Sequence, residues 1–210
     1  MSIRIVLADD HVLVRQGLKS LLEREKFQVV GEASNGQDAL RLAETHHPEI
    51  AVLDISMPLL NGIEAARELS RSCPKTKSIL LTQHEEEQYI HEALEAGVKG
   101  YVLKNQVASD LLHAIQRVSR GEFYLSPGIS RSVMEAYRSK SNRPADPLTA
   151  RERQVLQLIA EGKSTKDAAS LLGISVKTAE SHRMRLMQKL DIHETASLVR
   201  YAVRRGLIQP

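Results

Sequence analysis

One cysteine, Cys73, in 210 residues has no partner for an internal disulfide, the usage of a chain kept in a reducing cytoplasm rather than of a secreted, disulfide-stapled scaffold. No apolar run approaches the roughly 20 residues that cross a bilayer. The opening Met1-Ser2-Ile3-Arg4-Ile5-Val6 enters a strand pattern without the zones of a signal peptide. A soluble, cytoplasmic protein with no membrane partner is the expectation. The sequence also lacks internal repeats, long low-complexity segments and any His/Cys cluster with transition-metal spacing.

What is present is a chain with 42% hydrophobic residues, long enough for one large or two modest cores. Its charge is unevenly shared: 14 Lys/Arg stand against 18 Asp/Glu in residues 1–125, and 15 against 8 in residues 126–210, so a net −4 precedes a net +7. A basic C-terminal third behind a mildly acidic remainder fits contact with a polyanion, above all nucleic acid.

The first 120 residues alternate strand and helix patterns. Short apolar runs at 3–8, 29–33, 50–54, 77–82 and 100–104 are each followed by a stretch with apolar residues at helical spacing, such as Val14, Leu18, Leu21 and Leu22 after the first. Five β-α repeats predict an α/β fold with a five-stranded, doubly wound parallel sheet. Ligands of such sheets lie beyond the carboxyl ends of the strands.

Those ends carry the chemistry. The first strand finishes on Asp9 and Asp10, the third on Asp54, the fourth on Thr82 and the fifth on Lys104. Three carboxylates at one edge repel one another and call for a cation; hard oxygen ligands favour Mg²⁺. A carboxylate beside Mg²⁺ and a lysine is placed to attack a phosphoryl group, with the metal and ammonium neutralising its oxygens and the Thr82 hydroxyl bonding to one of them. The product is an aspartyl phosphate on Asp54. A phosphohydrolase of the haloacid-dehalogenase type shares this chemistry but carries a second Asp two residues after the nucleophile, where this chain has Ser56.

Past residue 121 the pattern changes. Phe123 to Pro127 reads as a turn, residues 128–138 as one more helix, and the polar, Pro-containing 139–147 as a linker. The remainder is all α with four helices. Thr149 to Glu152 is a capping box, a short helix follows Ser164, Gly173-Ile174 makes a turn, and Ser175 caps a longer helix. Short helix, Gly-containing turn and longer helix form a helix-turn-helix, whose second helix can enter the major groove. At about 100° per residue, Ala179, Leu186 and Leu190 face inward, while Lys177, Glu180, Ser181, Met184 and Gln188 point away. The outward side chains can reach base edges; Arg183, Arg185 and Lys189 are better placed for phosphates, with Arg185 near enough to the outward face to read guanine instead, and Thr178 joins the expected DNA-contacting set.

Both halves are familiar. Ala8-Asp9-Asp10-His11, Leu53-Asp54-Ile55-Ser56-Met57-Pro58, Asn61-Gly62, Leu81-Thr82 and Gly100-Tyr101-Val102-Leu103-Lys104 resemble the receiver domain of bacterial two-component response regulators, a flavodoxin-like fold. The stretches 148–162 and 172–183 resemble the LuxR-type helix-turn-helix domain. Together the chain looks like a NarL/FixJ-type response regulator, with a receiver at 1–122, a linker with a possible helix at 123–147 and a DNA-binding domain at 148–210.

The resemblance implies that Asp54 accepts phosphate from a sensor histidine kinase. It implies also that Asp9 and Asp10 bind Mg²⁺ with Asp54 and the backbone carbonyl of Ser56, and that Thr82 and Lys104 contact the phosphoryl group. Tyr101 takes the aromatic switch position, turning inward as Thr82 moves. Gln83, where the family often has a small residue, bears on the lifetime of the phosphorylated form. By the family's pattern Lys177, Glu180, Ser181 and Met184 face bases of promoter DNA. The last helix, with Ala196, Leu198, Val199 and Ala202, resembles the family's dimerisation helix, the expected seam of a homodimer; closing the four-helix core is its other role, alone or alongside pairing. Val12 and Arg15 on the first helix are candidates for kinase docking or a plain solvent face. The expected protein is a transcription regulator switched by phosphorylation and not an enzyme in its own right, beyond its own phosphoryl transfer and autodephosphorylation. The alternative is a constitutive DNA binder whose receiver is a protein-interaction scaffold.

Overall fold

The computed structural model describes residues 2–83, 87–129 and 147–208. The chain divides into two compact units.

In the first unit, strands β1 (Arg4–Ala8), β2 (Gln28–Ala33), β3 (Ile50–Asp54), β4 (Lys77–Thr82) and β5 (Gly100–Leu103) alternate with helices α1 (Val12–Arg24), α2 (Gly36–His46), α3 (Gly62–Ser72), α4 (Glu87–Glu95) and α5 (Val107–Ser119). The strands are parallel in the order β2-β1-β3-β4-β5, as the repeats require. β3 is buried at every position, so its continuous apolar run belongs at the centre of a sheet covered on both faces. On one face Ile5, Leu7, Ile50, Val52, Ile79, Leu81 and Val102 pack against Leu18 and Leu22 of α1 and Leu111, Ile115 and Val118 of α5. The alternate residues Val6, Ala51, Leu53 and Leu80 are equally buried and point to the other face.

One expectation is corrected. The segment read as a turn holds a sixth strand, β6 (Tyr124–Leu125), parallel to β5. Two residues carry no periodic signal; what holds them is the open edge of β5, whose Lys99 and Tyr101 carbonyls accept from the Tyr124 and Ser126 amides at 3.0 Å each. The Ser126 hydroxyl, fully buried, donates to Asp110 Oδ2 on α5 at 2.7 Å. Of the helix expected over 128–138, everything from residue 130 lies outside the described residues, as does the linker through 146.

The second unit comprises α6 (Ala150–Ala160), α7 (Thr165–Leu171), α8 (Val176–Leu190) and α9 (Thr195–Arg204). Its helix starts are fixed by side chains: Thr149 with Glu152 and Ser164 with Asp167 each form a full capping box, and the Ser175 hydroxyl accepts from the Thr178 amide. Gly173 adopts φ +63 at the turn between α7 and α8, a conformation glycine takes without steric cost. Val155, Leu156, Ile159, Leu186, Leu198 and Ala202 form the core.

Candidate metal centre and nucleic-acid interface

The parallel register carries the polar residues to one edge. Asp54 is the last residue of β3 and pairs with Leu81, one before Thr82, which in turn pairs with Leu103, one before Lys104. Lys104 opens a short 3-10 turn rather than ending β5. Its ammonium stands 2.9 Å from Asp9 Oδ2 and 2.9 Å from Asp54 Oδ2, so it bridges the two buried carboxylates. Asp10, half-buried, completes the edge.

The electrostatics follow from burial. Loss of solvent pushes the Asp54 carboxyl above its ordinary range, and the Asp9 charge adds to this; Lys104 offsets part of it, as does the Ser56 amide bonded to the carboxylate. Burial pulls Lys104 down, but the Asp54 and Asp9 carboxylates outweigh it and hold the ammonium above its usual value. Ligand atoms of Asp9, Asp10, Asp54 and His11 all lie within 4.8 Å of one another, a spacing that fits one divalent cation, and the three carboxylates are the hard oxygens Mg²⁺ prefers.

The loop after β3 is shaped for closeness. The Gly62 amide donates to Ile55 O at 3.0 Å, and a β-carbon at Gly62 would collide with the Asp54 carbonyl. Asn61 caps α3 by accepting from the Glu64 amide at 2.9 Å. Thr82 and Tyr101 are both buried, the tyrosine ring in the inward position.

Two residues escaped the sequence reading of the centre. His11 Nδ1 lies 2.7 Å from Asp10 Oδ1, and the His11 amide donates to Asp9 Oδ1 at 2.8 Å. Arg15, considered for docking, turns its guanidinium to the Asp9 carbonyl at 2.6 Å and is 17% exposed. Val12 is 53% exposed and Leu13 84%, and with Val14 they make the exposed apolar surface of α1. A cleft of about 510 Å³, lined by Leu13, Val14, Gly17, Gln83 and Lys104 among others, opens beside the centre.

On α8, Lys177, Thr178, Glu180, Met184 and Arg185 are exposed, and Ser181 is half-buried with its hydroxyl donating to Lys177 O at 2.9 Å. Ala179 and Leu186 are buried as helical phase requires. Two basic residues expected at phosphates have internal bonds. Arg183 donates to Thr165 Oγ1 and Thr195 Oγ1, both at 3.1 Å, tying α8 to the first residues of α7 and α9. Lys189 donates to the buried Glu152 at 2.7 Å. Burial alone would raise the Glu152 carboxyl, but Lys189 and the Thr149 donors hold it below its ordinary value. His182 faces inward enough that its Nδ1 is buried, without a hydrogen-bond partner. On α9, Leu198 and Ala202 are fully buried in the unit's own core, the closing role expected of this helix, while Ala196 is exposed and Val199 half-buried.

The pattern of the "Response regulator receiver domain" matches residues 5–116, and that of "Bacterial regulatory proteins, luxR family" matches residues 146–202. The chain belongs to the two-component response regulators, with a receiver domain and a LuxR-type DNA-binding domain. This regulator is 37% identical to the transcriptional regulatory protein MctR of Rhizobium johnstonii, over 98% of this chain and 95% of the relative. It is 36% identical to the oxygen regulatory protein NreC of Staphylococcus haemolyticus, over 98% and 99%. Among solved structures it resembles RcsB of Salmonella enterica serovar Typhimurium bound to a promoter with a beryllium fluoride phosphomimetic, at TM-score 0.64, 26% identity and coverage of 96% and 98%. RcsB has also been solved as two dimers bound to two parallel DNAs.

Proposed function

We propose that Asp54 is the phosphoacceptor of a Mg²⁺-dependent switch, loaded by a sensor histidine kinase, that controls dimeric binding of this regulator to promoter DNA. The receiver is residues 1–122, the connection 123–147 and the DNA-binding domain 148–210. The observation that carries the reading is the buried Asp54 held 2.9 Å from the Lys104 ammonium at the strand edge that also presents Asp9 and Asp10.

The ionised Asp54 directs an oxygen lone pair at the phosphorus of the kinase's phosphohistidine. The P–N bond breaks, its electron pair returns to the imidazole, and an acyl phosphate remains on Asp54. Lys104 lies where it neutralises a transferring oxygen, and the Thr82 hydroxyl donates to another. Asp9, Asp10, Asp54 and the Ser56 carbonyl would hold Mg²⁺, which would supply further charge neutralisation beside the phosphoryl group. Leu13 and the cleft beside Lys104 offer the kinase an apolar approach to Asp54. The receiver turns over only its own acyl phosphate. Dimers and promoter binding in RcsB support the output side.

The test is DNA binding at fixed salt by the full chain, with and without acetyl phosphate and Mg²⁺, beside Asp54→Ala. Tighter binding on phosphorylation, absent in Asp54→Ala, is the expected result. Equal binding by all forms makes the chain a constitutive DNA binder and sinks the switch.

A further inference from the structure

We infer that Arg15 is a positioning residue for the metal centre, acting through the peptide that joins Asp9 to Asp10; this rests on the reading of Asp9, Asp10 and Asp54 as that centre. Asp9 lies one residue beyond β1, where the ladder is ending. Its amide still donates to Ala33 O at 3.2 Å on the β2 side, but β1 pairs with β3 only as far as Ala8 with Leu53. The Asp9 carbonyl is met instead by Arg15, whose Nη1 donates to it at 2.6 Å.

The guanidinium is itself held. Its Nε stands 3.8 Å from Glu32 Oε2 near the end of β2, and the other oxygen of Glu32 pairs with Lys19 at 2.6 Å. Arg15 therefore spans the ends of β1 and β2 from the first turns of α1.

The consequence lies in the peptide plane. The Asp9 carbonyl and the Asp10 amide belong to one rigid unit, so fixing the carbonyl fixes the N–Cα bond of Asp10 and leaves only the rotation about that bond to set where its side chain leaves the chain. Asp9 has three further anchors: its amide, its Oδ1 on the His11 amide and its Oδ2 on Lys104. Asp10 has no comparable set; its Oδ1 lies close to the more exposed His11 ring. Arg15 is what orients Asp10 toward a shared cation.

This role makes a prediction of opposite sign to charge. A guanidinium beside a cation site repels the cation, so Coulomb's law alone has Mg²⁺ bind more tightly when Arg15 is neutralised. Loss of orientation has it bind more weakly, and partners one bond removed from metal ligands are worth about 10–100-fold in affinity.

Titration calorimetry of the full chain with MgCl₂ at fixed ionic strength decides between them. Arg15→Ala, and Arg15→Met, which keeps the apolar stem, should each bind Mg²⁺ about tenfold more weakly. Arg15→Lys, which retains a donor group, should recover part of the loss. Equal or tighter binding by folded Arg15→Met overturns the inference, as does unfolding of all three Arg15 variants, which would make the role structural. Asp10→Asn separates the two layers: if it binds Mg²⁺ as the parent does, the metal-centre reading itself falls, whereas its loss of binding beside an unchanged Arg15→Met sinks the Arg15 role alone.

Discussion

Lys104 Nζ and Asp54 Oδ2 stand 2.9 Å apart in a buried site, and the same ammonium holds Asp9 at the same distance. Lys104→Met leaves two buried carboxylates facing each other without a cation. Removing one partner of such an arrangement costs about 3–5 kcal/mol. In Mg²⁺-free buffer the urea midpoint of the receiver should fall accordingly. Saturating Mg²⁺ should recover much of the loss while phosphorylation by acetyl phosphate stays impaired, and a midpoint that ignores Mg²⁺ would remove Lys104 from the centre.

The buried Asp54 carboxylate works against folding. Burial raises its pKa, so at neutral pH the folded state holds its ionised form less comfortably than the unfolded chain does. Asp54→Asn is expected to raise the urea midpoint in EDTA. The parent alone should then gain strongly from Mg²⁺, by about 2.7 kcal/mol at a hundred times its Kd. A variant less stable than the parent in EDTA would contradict this.

Gly62 has no room for a side chain, because a β-carbon there meets the Asp54 carbonyl. Gly62→Ala must push the loop off the end of β3, with an overpacking cost of about 1–3 kcal/mol. It should also slow phosphorylation by moving Asp54. Normal phosphorylation kinetics in a folded Gly62→Ala chain would show that the loop can yield without disturbing the acceptor.

The strand-end residues were legible because each closes an apolar run, and a parallel sheet has one carboxyl edge; Asp9, Asp10, Asp54, Thr82 and Lys104 needed only the β-α alternation to be brought there. Arg15 was not legible: on a helical wheel it reads as a solvent position, and only the end of the β1 ladder creates the carbonyl it satisfies. β6 depends on the edge of β5 rather than on its own two residues. Leu198 and Ala202 were rightly read as apolar, but periodicity does not say whether a face meets its own core or a second copy. Arg183 and Lys189 show the same limit for charge, since their partners Thr165, Thr195 and Glu152 come from other helices.

Glu152 gives the second unit a pH dependence. Its folded pKa lies below the ordinary 4.5, so its contribution is fully present above that value and is lost as pH falls through the lowered folded value. Glu152→Gln should lower the urea midpoint of this unit at pH 7, by about 1–3 kcal/mol for a buried charged hydrogen bond. The gap should close progressively in acid. A gap constant from pH 7 to 3 would mean the Lys189 pairing contributes nothing.

Arg185 and Arg183 should part company in DNA binding. Arg185 is exposed on α8, so as a phosphate contact its replacement by Ala should weaken binding and reduce the slope of log K against log salt by about one, with stability unchanged. Arg183 is committed to Thr165 and Thr195. Arg183→Ala should lower the urea midpoint of the second unit and weaken binding through a loosened α8, while the salt slope stays near that of the parent. Salt titrations of both variants beside their denaturation curves separate the roles. A slope reduced by Arg183→Ala at unchanged stability would return that residue to the phosphate-contacting set, where its charge and helical phase had placed it.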